Sequence, residues 1–376
     1  MRDDEKAPNL VTRATRTAKE VDDFGIVRGA WRQLESNAHY FFQYPQWLQV
    51  IASLADGDVA WGVLAESGET VAASVLQRRR VGPSLLGLRA LTNVRVNAIW
   101  MYPFTDCLID PAAARAHGVV LDDVLDASGT WHAALITNLR AESPWLHLAV
   151  GRAQVRHEES GGVGILDTRH DVDAWQRTLP KNMRDTIRKT RKRVATAGGA
   201  QITVATQSDV PAAYERFIAL EASGWKGAHG TSISQSGAWC ELLGHYLEST
   251  KSAQIRSLYI DGRIAASQLC VTVGTSLVLL KVAYDEQLAQ LSPGNLLMAN
   301  LAEECCEDPL IDRIDCTVWQ DWHQRWGMYR EPTFDLFAFD HRTWRGKAIG
   351  AAWNARRALT RQNSWKVAPA TPITSR

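Results

Sequence analysis

The chain repeats itself. Val71-Ala72-Ala73-Ser74 recurs as Ile264-Ala265-Ala266-Ser267, 193 positions further on. A turn signal precedes each copy: Glu66-Ser67-Gly68-Glu69 in the first, Asp261-Gly262 in the second. Apolar runs flank each turn, WGVLA (61–65) before VAASVLQ and IRSLYI (255–260) before RIAASQLCV. Turn residues between two such runs predict a β-hairpin, and Asp-Gly is among the strongest two-residue signals. Trp47 and Trp239 precede the hairpins at nearly the same offset, each opening a helix-like stretch (WLQVIASL and WCELLGHYL). After each hairpin comes another apolar strand, NAIWMY (97–102) and SLVLLKVAY (276–284), then a helical stretch and a last strand pair. Offset, order and turn chemistry agree, so the pattern predicts two copies of one α/β unit.

A length of 376 residues accommodates two such units. Strand-like WLHLAV (145–150) and VGILDT (163–168) are expected to close the first, which places the boundary between 150 and 180. The expected plan is a flexible N-terminus (1–30), a first domain (31–170), a second domain (171–340), and a basic helix with a disordered tail (341–376). Early in the second unit, Asp171 or Asp173 can cap a short helix that Pro180 ends. From 181, Met183, Ile187, Thr190 and Val194 share one helical stripe, with Gly198-Gly199 as the stop. The rest of that helix is basic: Lys181, Arg184, Arg188, Lys189, Arg191, Lys192 and Arg193, against Asp185 alone. QITVAT (201–206) reads as a strand, and Asp209-Val210-Pro211 starts a helix running through Glu221.

The charge balance limits the partners. Lys+Arg is 42 and Asp+Glu is 41, a net charge of +1, so the chain does not coat nucleic acid over its whole surface. The basic helix is a local exception, either a solvated face or a dock for an anionic ligand. The N-terminus is polar, and no apolar run reaches the roughly 18 residues of a membrane span. The six cysteines, Cys107, Cys240, Cys270, Cys305, Cys306 and Cys316, form no C-x-x-C pair and no metal-ligand spacing. A cytoplasmic protein with reduced thiols and no metal is the expectation.

Several segments resemble the CelD-type, Fem-like branch of the GNAT acyltransferases. They are FFQYPQWLQV (41–50), LPKNMRDTIRKTRKRVATAGGAQITVA (179–205), ALEASGWKGAHGTSI (219–233), LYIDGRIAASQL (258–269) and LLKVAYDEQLAQLSPGNLLMANLAEE (279–304). The resemblance runs over roughly 35–340. Its most specific pieces are Trp225, Lys226, Gly227, Gly230 and Thr231, and Tyr284-Asp285 followed by Ser292-Pro293-Gly294. It implies an α/β fold with mixed sheets, two GNAT-like (acyl-CoA N-acyltransferase) domains in tandem. It also implies transfer of an acyl group, usually acetyl from acetyl-CoA, to an amine or hydroxyl of a sugar or other small metabolite.

Ser292-Pro293-Gly294-Asn295 lies between a strand and a helix, where unpaired N–H groups can meet a phosphate. It differs from the general GNAT phosphate loop in having one glycine and a proline. The first repeat has PFTDCLIDPAAA instead, so one donor site per chain is expected, in the second half, with Lys281 beside it. Transfer to an amine needs a base near the acceptor. Glu221, His229, Asp285 and His323 are the candidates, and Glu221, Asp285 and His323 are carried forward. Trp225, Lys226 and Tyr284, with Arg184 and Arg188 of the basic helix, are candidate substrate contacts. IDCTVWQDWHQRWG (314–327) resembles the family's closing segment, with Asp315, Trp322, Arg325, Trp326 and Gly327 in place and His323 where lysine is usual. Trp322 and Arg325 join the substrate contacts, and the charge at His323 is expected to change near neutral pH. Asp315 is expected to pair with Lys281. An acyl-CoA-dependent N- or O-acyltransferase is the leading expectation. The alternatives are an aminoacyl-tRNA-dependent transferase of the Fem kind and a non-catalytic protein that holds an anion or nucleic acid.

Overall fold

The computed structural model describes residues 16–21, 24–55, 57–83, 86–94, 105–224, 227 and 232–364. The strand expected at 97–102, the tail beyond 364, and Trp225, Lys226, His229, Gly230 and Thr231 lie outside them.

The first half runs β1 (Arg16–Val21), α1 (Phe24–Leu34), α2 (Pro45–Ser53), β2 (Asp58–Glu66), β3 (Glu69–Val81), β4 (Leu88–Thr92), β5 (Leu108–Ile109), α3 (Pro111–Ala116), α4 (Leu121–Asp126), β6 (Ala133–Arg140), α5 (Pro144–His147) and β7 (Gln154–Asp167). The second runs α6 (Val172–Thr178), α7 (Lys181–Thr196), β8 (Ala200–Thr206), α8 (Val210–Ser223), α9 (Gly237–Ser249), β9 (Ala253–Ile260), β10 (Arg263–Val273), β11 (Ser276–Tyr284), α10 (Pro293–Glu307), β12 (Arg313–Asp315), β13 (Tyr329–Phe339) and α11 (Trp344–Ser364).

Both predicted hairpins form, β2–β3 and β9–β10. Their turns hold two consecutive positive-φ residues, Ser67-Gly68 and Asp261-Gly262, as the twist of a tight hairpin requires. Helix α7 buries Met183, Ile187, Thr190 and Val194, the stripe its 3.6-residue period predicts. Asp171 caps α6, accepting from the Ala174 N–H at 2.6 Å. One expectation fails: WLHLAV is not a strand. Pro144 starts a single helical turn there, and Trp145 packs into the core.

All thirteen strands join one sheet, ordered β1-β2-β3-β4-β6-β13-β7-β12-β11-β10-β9-β8, with β5 beside β3. Apart from β5, the strands of the two halves correspond one to one. Each contains one parallel pair, β4–β6 and β11–β12, three residues long in both. Each ends in a strand that pairs outside its own half. β13, last in the chain, lies beside β6 of the first half, and β7 lies beside β12 of the second. β7 and β13 pair with each other at the centre. VGILDT therefore completes the second half's sheet instead of closing the first.

The halves also share a core. Helices α1 and α2 pack on the sheet beside α8 and α9, and one apolar cluster runs through all four. Trp47 and Trp239, the two repeat markers, meet there edge to face, with ring centroids 5.9 Å apart. Tyr246 closes on Trp47 at 5.2 Å. Separate clusters fill the opposite face, one under α3 and α4 and one under α6, α7 and α10.

Candidate functional site

In each half the parallel pair stops after three residues. Pairing ends at Thr92–Leu135 in the first and at Val278–Asp315 in the second. A non-glycine residue at positive φ follows on one strand of each, Asn138 (57°) and Thr317 (57°). At Thr317 this follows the end of β12; at Asn138 it is a bulge within β6, which stays paired with β13 as far as Arg140. Beyond the last paired residues a wedge opens between the two strands of each parallel pair. The first wedge is stapled. Asn93, buried, donates to the Thr137 carbonyl at 2.9 Å and accepts from the Thr137 N–H at 3.3 Å and its hydroxyl at 3.2 Å. At the second wedge the chain places Leu279 after Val278, a side chain that cannot make such a bridge.

The helices beyond the two wedges also differ. α3 is capped by Asp110, whose carboxylate accepts from the N–H groups of Ala112 (2.8 Å) and Ala113 (2.9 Å). The start of α10 carries no side-chain cap. Ser292 stands at its head in the left-handed region (φ 46°), and its carbonyl accepts from Asn295 and Leu296. Among the described residues, a side chain added at Gly294 would meet only Tyr284, at an ordinary 3.8 Å. Packing within the chain thus does not require glycine there. Tyr284 itself is partly exposed.

At the wedge wall, Lys281 of β11 donates to Glu221 at the end of α8, 3.0 Å away, and both side chains are buried. The second Glu221 oxygen accepts from the Ile233 N–H at 2.8 Å. One carboxylate therefore ties the helix end, the strand and the backbone at Ile233 together. The expected Lys281–Asp315 pair does not form. Asp315 instead accepts from Arg140 at 2.8 Å and from the Thr317 N–H at 2.8 Å. Asp285 is engaged outside the wedge, capping Gln287 N–H at 2.9 Å and pairing with Arg263 at 3.0 Å.

His323 departs most from expectation. Its ring lies on Gly164, where an added Cβ would come within 2.3 Å of Nδ1. Trp319 and Trp322 close on it edge to face at 5.4 and 4.0 Å. Burial pushes its pKa down to about 4. Nδ1 accepts from the Gln320 N–H at 3.0 Å, so the neutral ring carries its proton on Nε2. The residue does not change charge near neutral pH, and its one acceptor nitrogen is occupied. It holds the closing segment against β7. Trp322 is half-buried beside it, Arg325 is exposed, and Trp326 stacks on Trp175.

On the basic helix, Arg184 donates to the carbonyls of Arg177 and Leu179 at the end of α6, and Arg188 pairs with Asp185. Arg184 thus secures the junction of α6 and α7.

Arg140 was not predicted. It sits at the end of β6, wholly buried, and bridges Asp315 (2.8 Å) to Glu331 of β13 (2.6 Å). Burial opposes its charge, and the two carboxylates with Tyr40 more than offset this, so its pKa is raised. Its guanidinium lies 4.8 Å from the Tyr40 ring centroid, and Tyr40 donates its hydroxyl to Glu142. Next to this cluster Asp106 is fully buried, held by Ser143, the Cys107 N–H and Gln43, and burial pushes it up to about 7. His39, Tyr40, Arg140, Ser276, Asp315 and Thr317 line a small cleft where the first half meets the apex of the second wedge.

Residues 181–325 match the family model of the acetyltransferase (GNAT) domain. That stretch is a GNAT acyltransferase domain. No curated protein sequence matches the chain. Among solved structures, FemX superposes with a TM-score of 0.58 at 12% identity, covering 83% of this chain and 95% of that one. L-PGS from Bacillus licheniformis superposes at 0.51 and 12% identity, covering 88% and 96%. At such identities the likeness is one of fold, and it extends over both halves of this acyltransferase. The described residues contain no cluster of ligands that could hold a metal and no helix long and apolar enough to cross a membrane. All six cysteines are free.

Proposed function

We propose that the protein transfers an acyl group, acetyl in the simplest case, from acyl-CoA to an amine or hydroxyl of a sugar, nucleotide sugar or similar small metabolite. The donor thioester would lie in the wedge between β11 and β12, with the pyrophosphate at Ser292–Asn295. The carrying observation is the contrast between the two helix starts. Asp110 occupies the N–H groups of α3, whereas no side chain caps α10, and Gly294 stays bare without a packing reason. The acceptor would enter between the halves, past His39 and Tyr40.

The acceptor nitrogen or oxygen attacks the thioester carbonyl, the C–S bond breaks, and CoA leaves as its thiol after taking up a proton. Backbone N–H groups along the wedge would stabilise the oxyanion. Of the three candidate bases, Glu221 is favoured. It stands at the wedge wall, although both its oxygens are engaged, by Lys281 and the Ile233 N–H, and one would have to be released to take the acceptor's proton. Asp285 is held by Arg263 and a turn outside the wedge, and His323 lies against β7. Lys281 would orient Glu221. Titration calorimetry with acetyl-CoA tests the reading: one molecule bound per chain is expected. Absence of binding to any acyl-CoA by folded protein would sink it. The seven cations of α7 favour a second reading, an aminoacyl-tRNA-dependent transferase. It predicts transfer that needs charged tRNA and ignores CoA.

A further inference from the structure

The cations of α7 are not equivalent. Arg184 is committed to α6, Arg188 to Asp185, and Arg191 to Glu303 of α10. Lys189, Lys192 and Arg193 instead line an open concavity of about 460 Å³. Its remaining lining is Thr196, Ala197 and Leu291, with no carboxylate. Arg193 donates to the Gln290 carbonyl at 3.1 Å, which fastens the helix to the turn before α10 without neutralising the guanidinium. Leu291 directly precedes Ser292. Three positive charges thus border a largely apolar floor, next to the helix start proposed for the pyrophosphate. The volume lies in the range of small-ligand sites, roughly 300–1,000 Å³.

A ligand suited to it is dianionic at one end and flat and apolar beside it. Resting on the acyl-CoA reading above, we infer that this concavity takes the adenosine 3′-phosphate of coenzyme A. The ribose and adenine lie over Ala197 and Leu291, and the phosphate sits among Lys189, Lys192 and Arg193. A terminal phosphate carries nearly two charges at neutral pH and gains most from clustered cations. The site would then discriminate coenzyme A from its 3′-dephospho form, which the helix start alone cannot do.

The test is calorimetry on the full chain with three probes: coenzyme A, 3′-dephospho-coenzyme A, and a short single-stranded RNA ending in CCA. Wild type is expected to bind coenzyme A at least about tenfold tighter than the dephospho form, a difference of roughly 1.4 kcal/mol. The double variant Lys189→Gln, Lys192→Gln, which removes the charges without reversing them, should lose most of that preference, with the affinity for coenzyme A falling far more than that for the dephospho form. Both lysines are exposed, and a melting curve checks that the variant folds. Equal wild-type affinities for the two coenzymes would overturn the inference while leaving the acyl-CoA reading standing. Binding of neither coenzyme would overturn both. RNA binding that outcompetes coenzyme A and vanishes in the double variant would assign the concavity to RNA and overturn the inference.

Discussion

Glu221 and Lys281 are each removed from water, and a buried pair of that kind is held by its mutual attraction and its extra hydrogen bonds. Taking one partner away leaves an uncompensated charge. Lys281→Met is therefore expected to lower stability by about 3–5 kcal/mol, read from urea unfolding. Glu221→Gln keeps the shape and removes the basic carboxylate, but its single oxygen can accept from only one of Lys281 and the Ile233 N–H. It should lower kcat by roughly 10²–10⁴ while leaving acetyl-CoA affinity unchanged, a split that a purely structural role would not produce. His323 gives a prediction of pH. Its folded pKa, about 4, lies below the ordinary histidine value near 6.5, so between those values the unfolded chain binds more protons. The histidine's contribution to stability is complete above about pH 6.5 and is lost as pH falls towards 4. His323→Asn, which keeps an acceptor for Gln320 N–H, should flatten that part of the curve. Urea midpoints between pH 4.5 and 7.5 for the two proteins measure the difference, and parallel curves would contradict it. The sequence could nominate Glu221, Lys281, Asp315 and His323 as residue types. It could not pair them, because their partners lie from tens of residues to well over a hundred away and on other elements. Arg140 gave no signal at all: an arginine closing an apolar strand looks like an ordinary surface end.

At the scale of elements, what was legible is what local chemistry decides. Asp261-Gly262 can adopt the positive φ angles of a tight turn, and Met183-Ile187-Thr190-Val194 follow the helical period, so both were readable from neighbours alone. WLHLAV failed for a related reason. Its apolar content suits a strand, but Pro144 presets a helical first turn and Trp145 finds its place in the core by packing that no short window contains. The two wedges show the same limit. The difference between PFTDCLIDPAAA and the Ser292–Asn295 segment is visible in the sequence, whereas the Asn93–Thr137 staple joins residues 44 apart. The staple carries a prediction. Asn93→Ala leaves the buried Thr137 groups without their partner and should cost about 1–3 kcal/mol. It should not create a second donor site, since Asp110 still caps α3. Calorimetry of the variant is expected to return one acetyl-CoA per chain with the wild-type affinity; two per chain would show that the staple, and not the helix start, closes the first half.

For the whole molecule, the exchange of β7 and β13 has the largest consequence. A duplication was readable from the repeat, but two units in a row suggest two independent domains, and the strand pairing makes them interdependent. β6 and β13 pair through residues as far apart as Ala133 and Phe339, and nothing in a local pattern reports such a distance. Residues 1–170 produced alone would leave β6 without β13 and β7 without β12 or β13, and Trp47 would lose Trp239. Residues 171–376 alone would lack β6 and β7, leaving one side of β12 and both sides of β13 open, and Asp315 and Glu331 would lose Arg140. Unpaired edges and an opened core favour aggregation over a stable half. Each fragment is therefore expected to lack a cooperative thermal transition by circular dichroism, and the two produced together should recover one complex. The intact chain should melt in a single transition, with calorimetric and van't Hoff enthalpies in a ratio of about one. A cooperative melt from either fragment alone, or two resolved transitions in the intact chain, would show that the halves fold separately and that the exchanged strands only join them.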